Sequence, residues 1–199
     1  MLIYNSKGEL MKIFLKTNFT GFNNNTTLIS IALIDENDNS FYGEFTDYDK
    51  TQVDKWINDN IIETLFLMKE LRGEQFLLRS EKELNVVGGS KFIQRNLKEW
   101  LQNYDHAEIC PDSLSFDWKL FDELLYKDET IYSFDKNPIS YFPYDLKELF
   151  KEKGIDPDIS KEYLVRNRIK KLNSSEIKKY NSLYDAKITK MCYEYLIKL

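Results

Sequence analysis

The run Thr26-Thr27-Leu28-Ile29-Ser30-Ile31-Ala32-Leu33-Ile34 constrains the fold of this chain more than any other stretch. It is β-branched and apolar, a composition that suits a pleated strand better than a helix. The cluster Asp35-Glu36-Asn37-Asp38-Asn39 supplies a turn after it. Phe41-Tyr42-Gly43-Glu44-Phe45 then reads as another strand, and the short apolar Lys12-Ile13-Phe14-Leu15 precedes it as a first one. The chain therefore opens with an antiparallel meander. Helical signals come later. Gln52 to Leu67 carries Val53, Trp56, Ile57, Ile61 and Leu65 at roughly helical spacing. Met68 to Val87 is ambiguous and ends at the punctuation Gly88-Gly89, which lacks the Gly-Lys-Ser/Thr ending of a phosphate loop. Ser90 reads as the N-cap of a helix bearing Phe92, Ile93, Leu97, Trp100 and Leu101. Ala107 to Cys110 reads as a buried strand, Ser115 to Leu125 as a helix, and Ile139 to Phe142 as a last short strand. Asp145 caps a helix over Leu146–Lys153 that stops at Gly154, and Glu176 to Leu199 reads as a long terminal helix. Strands first and helices interleaved later predict an α/β fold, a mixed sheet of five to six strands flanked by helices.

At 199 residues the chain has the size of one domain. Its 42% hydrophobic and 31% charged residues place it among globular rather than disordered chains. Two cysteines, Cys110 and Cys192, make no disulfide framework and suit a reducing, cytoplasmic setting. No apolar run nears the ~20 residues of a membrane span. The start lacks the basic and apolar regions of a signal peptide. Lys7-Gly8-Glu9-Leu10-Met11 can be encoded as a ribosome-binding site followed by a start codon, so residues 1–10 are expected to be a translated leader or disordered extension, with the domain spanning 11–199. Abundant Asn, Lys and Ile suggest AT-rich coding DNA of a bacterium or phage. The net charge of −5 hides an asymmetry: residues 145–199 carry 13 Lys/Arg against 9 Asp/Glu. The excess is sharpest from Lys161 through Arg166, Arg168, Lys170, Lys171 and Lys178 to Lys179. Such a stripe suits phosphate contact, or is simply a solvated helix face and loop.

Five segments taken together carry a resemblance. They are Phe14-Leu15-Lys16-Thr17-Asn18-Phe19-Thr20-Gly21, Thr26 to Ile31, Phe41-Tyr42-Gly43-Glu44-Phe45-Thr46-Asp47-Tyr48, Asp112-Ser113-Leu114-Ser115-Phe116-Asp117-Trp118, and Tyr180-Asn181-Ser182-Leu183-Tyr184-Asp185-Ala186. In order and spacing they resemble the small bacterial, mycobacterial and phage 3′–5′ exoribonucleases of the DEDDh group, from about Met11 to the C-terminus. That resemblance implies a ribonuclease H-like fold. It also implies four carboxylates on two Mg²⁺ or Mn²⁺ ions, which activate water and stabilise the leaving oxygen. A histidine five residues before the last aspartate serves as general base. Here the first two carboxylate positions fall on Lys16 and Asn18, the third on Asp117, the fourth on Asp185 and the base on Tyr180. Only Asp117 and Asp185 keep their residue type, and metal binding is expected to be weak or lost.

These departures change the chemistry. A lysine ammonium about 4 Å from a unit charge at an effective dielectric near 20 interacts by about 4 kcal/mol, and a divalent ion doubles that repulsion. Asn18 offers only a neutral oxygen. A tyrosine hydroxyl holds its proton at neutral pH and is a poor base. The related DEDDy group uses a tyrosine four residues before its aspartate, so Tyr180 matches neither pattern. Lys16 is expected to pair with Asp117, Asp185 or both, relieving their mutual repulsion.

The aromatic residues Phe19, Phe22, Trp118 and Tyr184 are expected around the cleft, where they would stack on bases or belong to the core. Thr20 and the polar loop Asn23-Asn24-Asn25 lie beside them. Candidate nucleic-acid contacts are Phe19, Thr20, Phe22, Trp118, Arg166, Arg168, Lys170 and Lys171. Asp112 suits a turn or a substitute metal ligand. The sole histidine, His106, reads as an ordinary surface residue. The expectation is a catalytically degenerate 3′–5′ exonuclease-fold protein that binds nucleic acid or a nucleotide without cleaving it. The alternatives are an active two-metal exoribonuclease that has recruited Glu44 or Asp112, and a protein-interaction or inhibitor module on a nuclease scaffold. The resemblance also admits a homodimer.

Overall fold

The computed structural model describes residues 10–70, 75–126, 138–166 and 178–199. The strands are β1 (Met11–Phe19), β2 (Leu28–Asp35), β3 (Ser40–Phe45), β4 (Phe76–Arg79), β5 (Glu83–Gly88) and β6 (Ala107–Pro111). They form one six-stranded sheet in the order β4-β5-β3-β2-β1-β6. β1, β2 and β3 are the antiparallel meander read from the sequence, and β6 lies parallel to β1. On the other side β5 lies parallel to β3 and antiparallel to β4. A meander extended by a parallel strand on its β1 edge, with helices on both faces, is a ribonuclease H-like mixed α/β fold.

The helices are α1 (Lys55–Asn60), α2 (Leu67–Glu70), α3 (Ser90–Leu101), α4 (Lys119–Tyr126), α5 (Leu146–Glu152), α6 (Lys161–Leu164) and α7 (Ser182–Leu196). Alternation along β1 sends Met11, Ile13 and Leu15 to the face shared with Ile93 and Leu97 of α3 and Phe121 of α4. Phe14 points to the opposite face, where Phe150 of α5 and Leu183, Ile188 and Cys192 of α7 cover it. Burying both faces excludes water from the ladder and fixes its register.

Several expected elements differ. β1 runs on through Lys16 and Asn18, because their backbones pair with Ala32 and Ser30 of β2 whatever their side chains are. Gln52–Leu67 is not one helix: α1 is flanked by 3-10 turns at Lys50–Gln52 and Ile62–Thr64. The ambiguous stretch before Gly88 contains α2 and the β4–β5 hairpin. Ser90 is the first residue of α3 rather than its cap; the Asp47 carboxylate accepts from its N–H at 2.8 Å and its hydroxyl at 3.0 Å. The expected helix at Ser115 begins as a π turn over Leu114–Trp118. Ile139–Phe142 gives a single parallel bridge between Ile139 and Ala107, since Pro138 and Pro143 have no N–H to extend a ladder. The terminal helix starts at Ser182, capped by the Asn181 side chain, and the described residues Lys178–Asn181 lie outside it. The Asp145 cap holds, with its carboxylate accepting from Lys147 N–H at 2.9 Å. The expected leader, apart from Leu10, lies outside the described residues. Among the described residues no helix is long and apolar enough to cross a membrane.

Candidate functional site

Period-two alternation puts Lys16 and Asn18 on the α7 face of β1, with Thr17 between them facing the other way. β6 ends at Pro111, so among the described residues no further strand pairs with β1 beyond Leu15 on that side. Asp117 fills the gap. The π turn carries an extra residue per turn, marked by Trp118 N–H bonding to Ser113 O at 3.1 Å, and it aims Asp117 inward. One oxygen of Asp117 accepts from both Thr17 N–H and Thr17 hydroxyl at 2.7 Å. Its other oxygen faces the Lys16 ammonium at 3.4 Å. Asp117 is completely buried, a state a carboxylate tolerates only when paired and hydrogen-bonded.

Lys16 lies closer still to Asp112, at 2.9 Å. Asp112 also takes the Lys161 ammonium and, at 3.4 Å, the Thr189 hydroxyl. It is thus neither a simple turn residue nor an open ligand. Lys161 belongs to this cluster and not to a solvated basic stripe. Burial, and then the Lys16 ammonium beside it, hold the Lys161 amine below its ordinary range. Lys16 was expected to pair with Asp117, Asp185 or both. It pairs with Asp117 and with Asp112, and its ammonium acts on Asp185 only through space.

Asp185 sits on the first turn of α7. Among the described residues no hydrogen bond or ion pair reaches its carboxylate. Burial pushes its carboxyl up to about 6, against the opposing pull of the Lys16 ammonium. Tyr180, at the expected base position, has a left-handed backbone with φ of 68°. That conformation turns its carbonyl, not its ring, toward β1, where it accepts from Asn18 Nδ2 at 2.9 Å. The ring turns outward and meets Trp56 edge-on at 5.8 Å between centroids.

Lys16, Asn18, Tyr180 and Asp185 share a cleft of about 480 Å³ with Phe19, Thr20, Phe22, Asn23, Gln52, Asp54 and Trp56. That volume suits a small ligand or a side chain and its backbone. The floor is rigid. Gln52 accepts from the Thr20 hydroxyl and Asn23 Nδ2, and donates to Asn25 O and Asp49. Phe19 stacks on Phe116 at 5.1 Å, and Phe22 sets its edge against both rings.

Phe19, Thr20 and Phe22 therefore stand where the sequence placed them. Trp118 and Tyr184 take the core alternative: Trp118 packs half-buried on Phe121, and Tyr184 is buried with its hydroxyl on Glu162. Trp118 carries its ring to the α4 side of the sheet, and Tyr184 lies on the core face of α7. Arg166 is exposed and stacks over Tyr163 at 4.4 Å, away from the cleft lining. Arg168, Lys170 and Lys171 lie outside the described residues. Trp56 and Asp54 were missed as cleft residues. Trp56 shared the helical spacing of Ile57 and Ile61 and was read with them, yet it is 55% exposed while those two are buried. Asp54 carried a legible signal as the N-cap of α1, whose N–H at Ile57 it accepts at 2.7 Å.

The residues present do not fit two divalent cations. Both oxygens of Asp117 are engaged, and a fixed ammonium stands beside them. Asp112 is taken by two lysines. Glu44 is fully buried and accepts from Tyr42 hydroxyl and the Phe66, Leu67 and Met68 amides at 2.7–3.1 Å. Of Asp112, Asp117, Glu44 and Asp185, only Asp185 has a carboxylate without a partner among the described residues, and hard cations need several such oxygens. Among the described residues no three His, Cys, Asp or Glu side chains are grouped to hold a metal. No protein-family model matches the chain, and no curated protein matches it.

Proposed function

We propose that this chain is an exonuclease-like protein that binds a ligand in its cleft and does not cleave nucleic acid. One observation carries the reading: the Lys16 ammonium bridges Asp112 and Asp117 at 2.9 and 3.4 Å, where the resembled enzymes hold metal. With Lys161 on Asp112, the bridge balances the charge of the two carboxylates without a metal ion and leaves no coordination site between them. The engagement of Glu44 and Asp112 also speaks against an active enzyme that has recruited either as a substitute ligand. The aromatic walls at Phe19, Phe22, Trp56 and Tyr180 support retention of binding. Two ligand classes follow from the scaffold: a strand end or nucleotide stacked on those rings, and a protein partner. The second is favoured by the open acid at Asp185.

The test is a nuclease assay on labelled single-stranded RNA and DNA with Mn²⁺ or Mg²⁺. The wild type leaves the strands intact. The variant Lys16→Asp/Asn18→Glu/Tyr180→His restores the ligand set and shortens RNA from its 3′ end. Shortening by the wild type that is abolished in Asp185→Ala defeats the proposal.

A further inference from the structure

Resting on the reading that the cleft binds and does not cut, we propose that its ligand is an arginine side chain presented by a protein partner. The guanidinium would lie against Trp56 and Tyr180, with the Asp185 carboxylate as counter-ion.

The charges inside the cleft point this way. Three charged residues line it: Lys16, Asp54 and Asp185. Lys16 is matched by Asp112 and Asp117, neither of which lines the cleft. Two carboxylates are left, Asp185 with no ion-pair partner among the described residues. A phosphate entering the cleft would meet like charge, while a cation would meet opposite charge in a partly desolvated setting.

The hydrogen-bonding groups agree. The side-chain amides of Asn18, Asn23 and Gln52 already donate to Tyr180 O, to Gln52 and to Asn25 O and Asp49. What the cleft offers a ligand is chiefly an acceptor, the Asp185 carboxylate, and a cationic donor satisfies it.

The aromatic surface completes the match. Phe22 is 84%, Trp56 55% and Tyr180 39% exposed, three open rings lining the same cleft as Asp185. Ring faces attract cations, and tryptophan does so most strongly. The Lys179 ammonium lies 5.1 Å from the Tyr180 centroid and is matched by Glu162 at 2.6 Å, so it adds no uncompensated positive charge beside the cleft. Arginine suits the site better than lysine. Its planar guanidinium stacks on rings, pairs with a carboxylate through two parallel bonds, and is less tightly hydrated than an ammonium.

The full chain is titrated with a fluorescein-labelled Gly-Ser-Arg-Ser-Gly peptide and with the same peptide carrying citrulline, arginine's neutral isostere. A labelled oligoadenylate of eight nucleotides is titrated in parallel, and each strand is then run on a denaturing gel. The arginine peptide binds at least tenfold more tightly than the citrulline peptide. Trp56→Ala and Asp185→Asn each weaken it at least fivefold, while the surface control Asp158→Asn leaves it within twofold. Circular dichroism confirms that each variant is folded. Equal binding of the two peptides, or no effect of Trp56→Ala and Asp185→Asn, overturns the proposal. So does oligoadenylate that binds more tightly than the arginine peptide and is lost in Trp56→Ala, which assigns the cleft to nucleic acid. A shortened strand on the gel defeats the non-cleaving reading instead, whatever the peptides do.

Discussion

Asp117 and Asp185 stand at two positions that share one task in the resembled exonucleases, yet the fold treats them in opposite ways. Asp117 is fully buried, accepts from Thr17 twice and faces Lys16. The carboxylate of Asp185, on α7, receives no hydrogen bond among the described residues, and burial pushes it up to about 6. One acid has become part of the framework that joins β1 to the π turn. The other stays a chemically open group at the cleft. The two carboxylates are therefore not equivalent: one is structural, and one is open to a ligand.

Removing each acid tests that division most severely. Asp117→Ala strands the Thr17 amide and hydroxyl and unpairs Lys16, and it is expected to cost about 3–5 kcal/mol. Asp185→Ala is expected to cost no more than about 1 kcal/mol, since no partner is orphaned. Urea denaturation measures both, and equal losses would break the comparison.

Lys16→Met is next, at about 1–3 kcal/mol of lost stability at pH 7. Urea denaturation measures it, and an unchanged stability would mean that the Lys16 ammonium does not hold Asp112 and Asp117 together.

Asp185→Asn works in the opposite direction. Its folded value of about 6 lies above that of an ordinary exposed carboxyl, so the folded state holds the extra proton. The ionised acid therefore lowers stability as pH rises from about 4 through 6. At pH 7 the neutral asparagine is expected to raise stability by about 1–3 kcal/mol, and the gain should vanish by pH 4. Thermal unfolding across that range checks the sign. Destabilisation at pH 7 would show a partner for Asp185 in solution.

The smallest effect belongs to Asn18→Ala. It removes the bond to the Tyr180 carbonyl and costs about 1 kcal/mol. The sharper readout is Trp56 fluorescence, because freeing the Tyr180 turn is expected to shift the ring that meets Trp56.

Much of the sheet was legible because its signals are local. The β-branched run of β2, the turn after it and the Asp145 cap each act within a few residues. The cleft was legible in part. Phe19, Thr20 and Phe22 adjoin the Lys16-Thr17-Asn18 motif along the chain, so locating β1 located them too. For Trp118 and Tyr184 the sequence left base stacking and core both open, because a helix carries neighbouring residues to different faces. Trp56 was hidden by a shared spacing: a short helix buries Ile57 and leaves the residue before it in the cleft. Ser90 was displaced as a cap by Asp47, which lies 43 residues earlier and is brought to α3 by the end of β3.

By itself the sequence determined which groups this protein can bring to its site. It places an ammonium and an amide at Lys16 and Asn18, and strand alternation commits both to one face. Only the tertiary structure decided what those groups do. Lys16 could reach any of several acids, and its choice of Asp112 and Asp117 over Asp185 depends on contacts spanning 96 and 101 residues. Lys161 turned inward for the same reason. Residue identity sets charge, but partner choice depends on distance and burial, and those exist only once β1, β6, the π turn and α7 have come together.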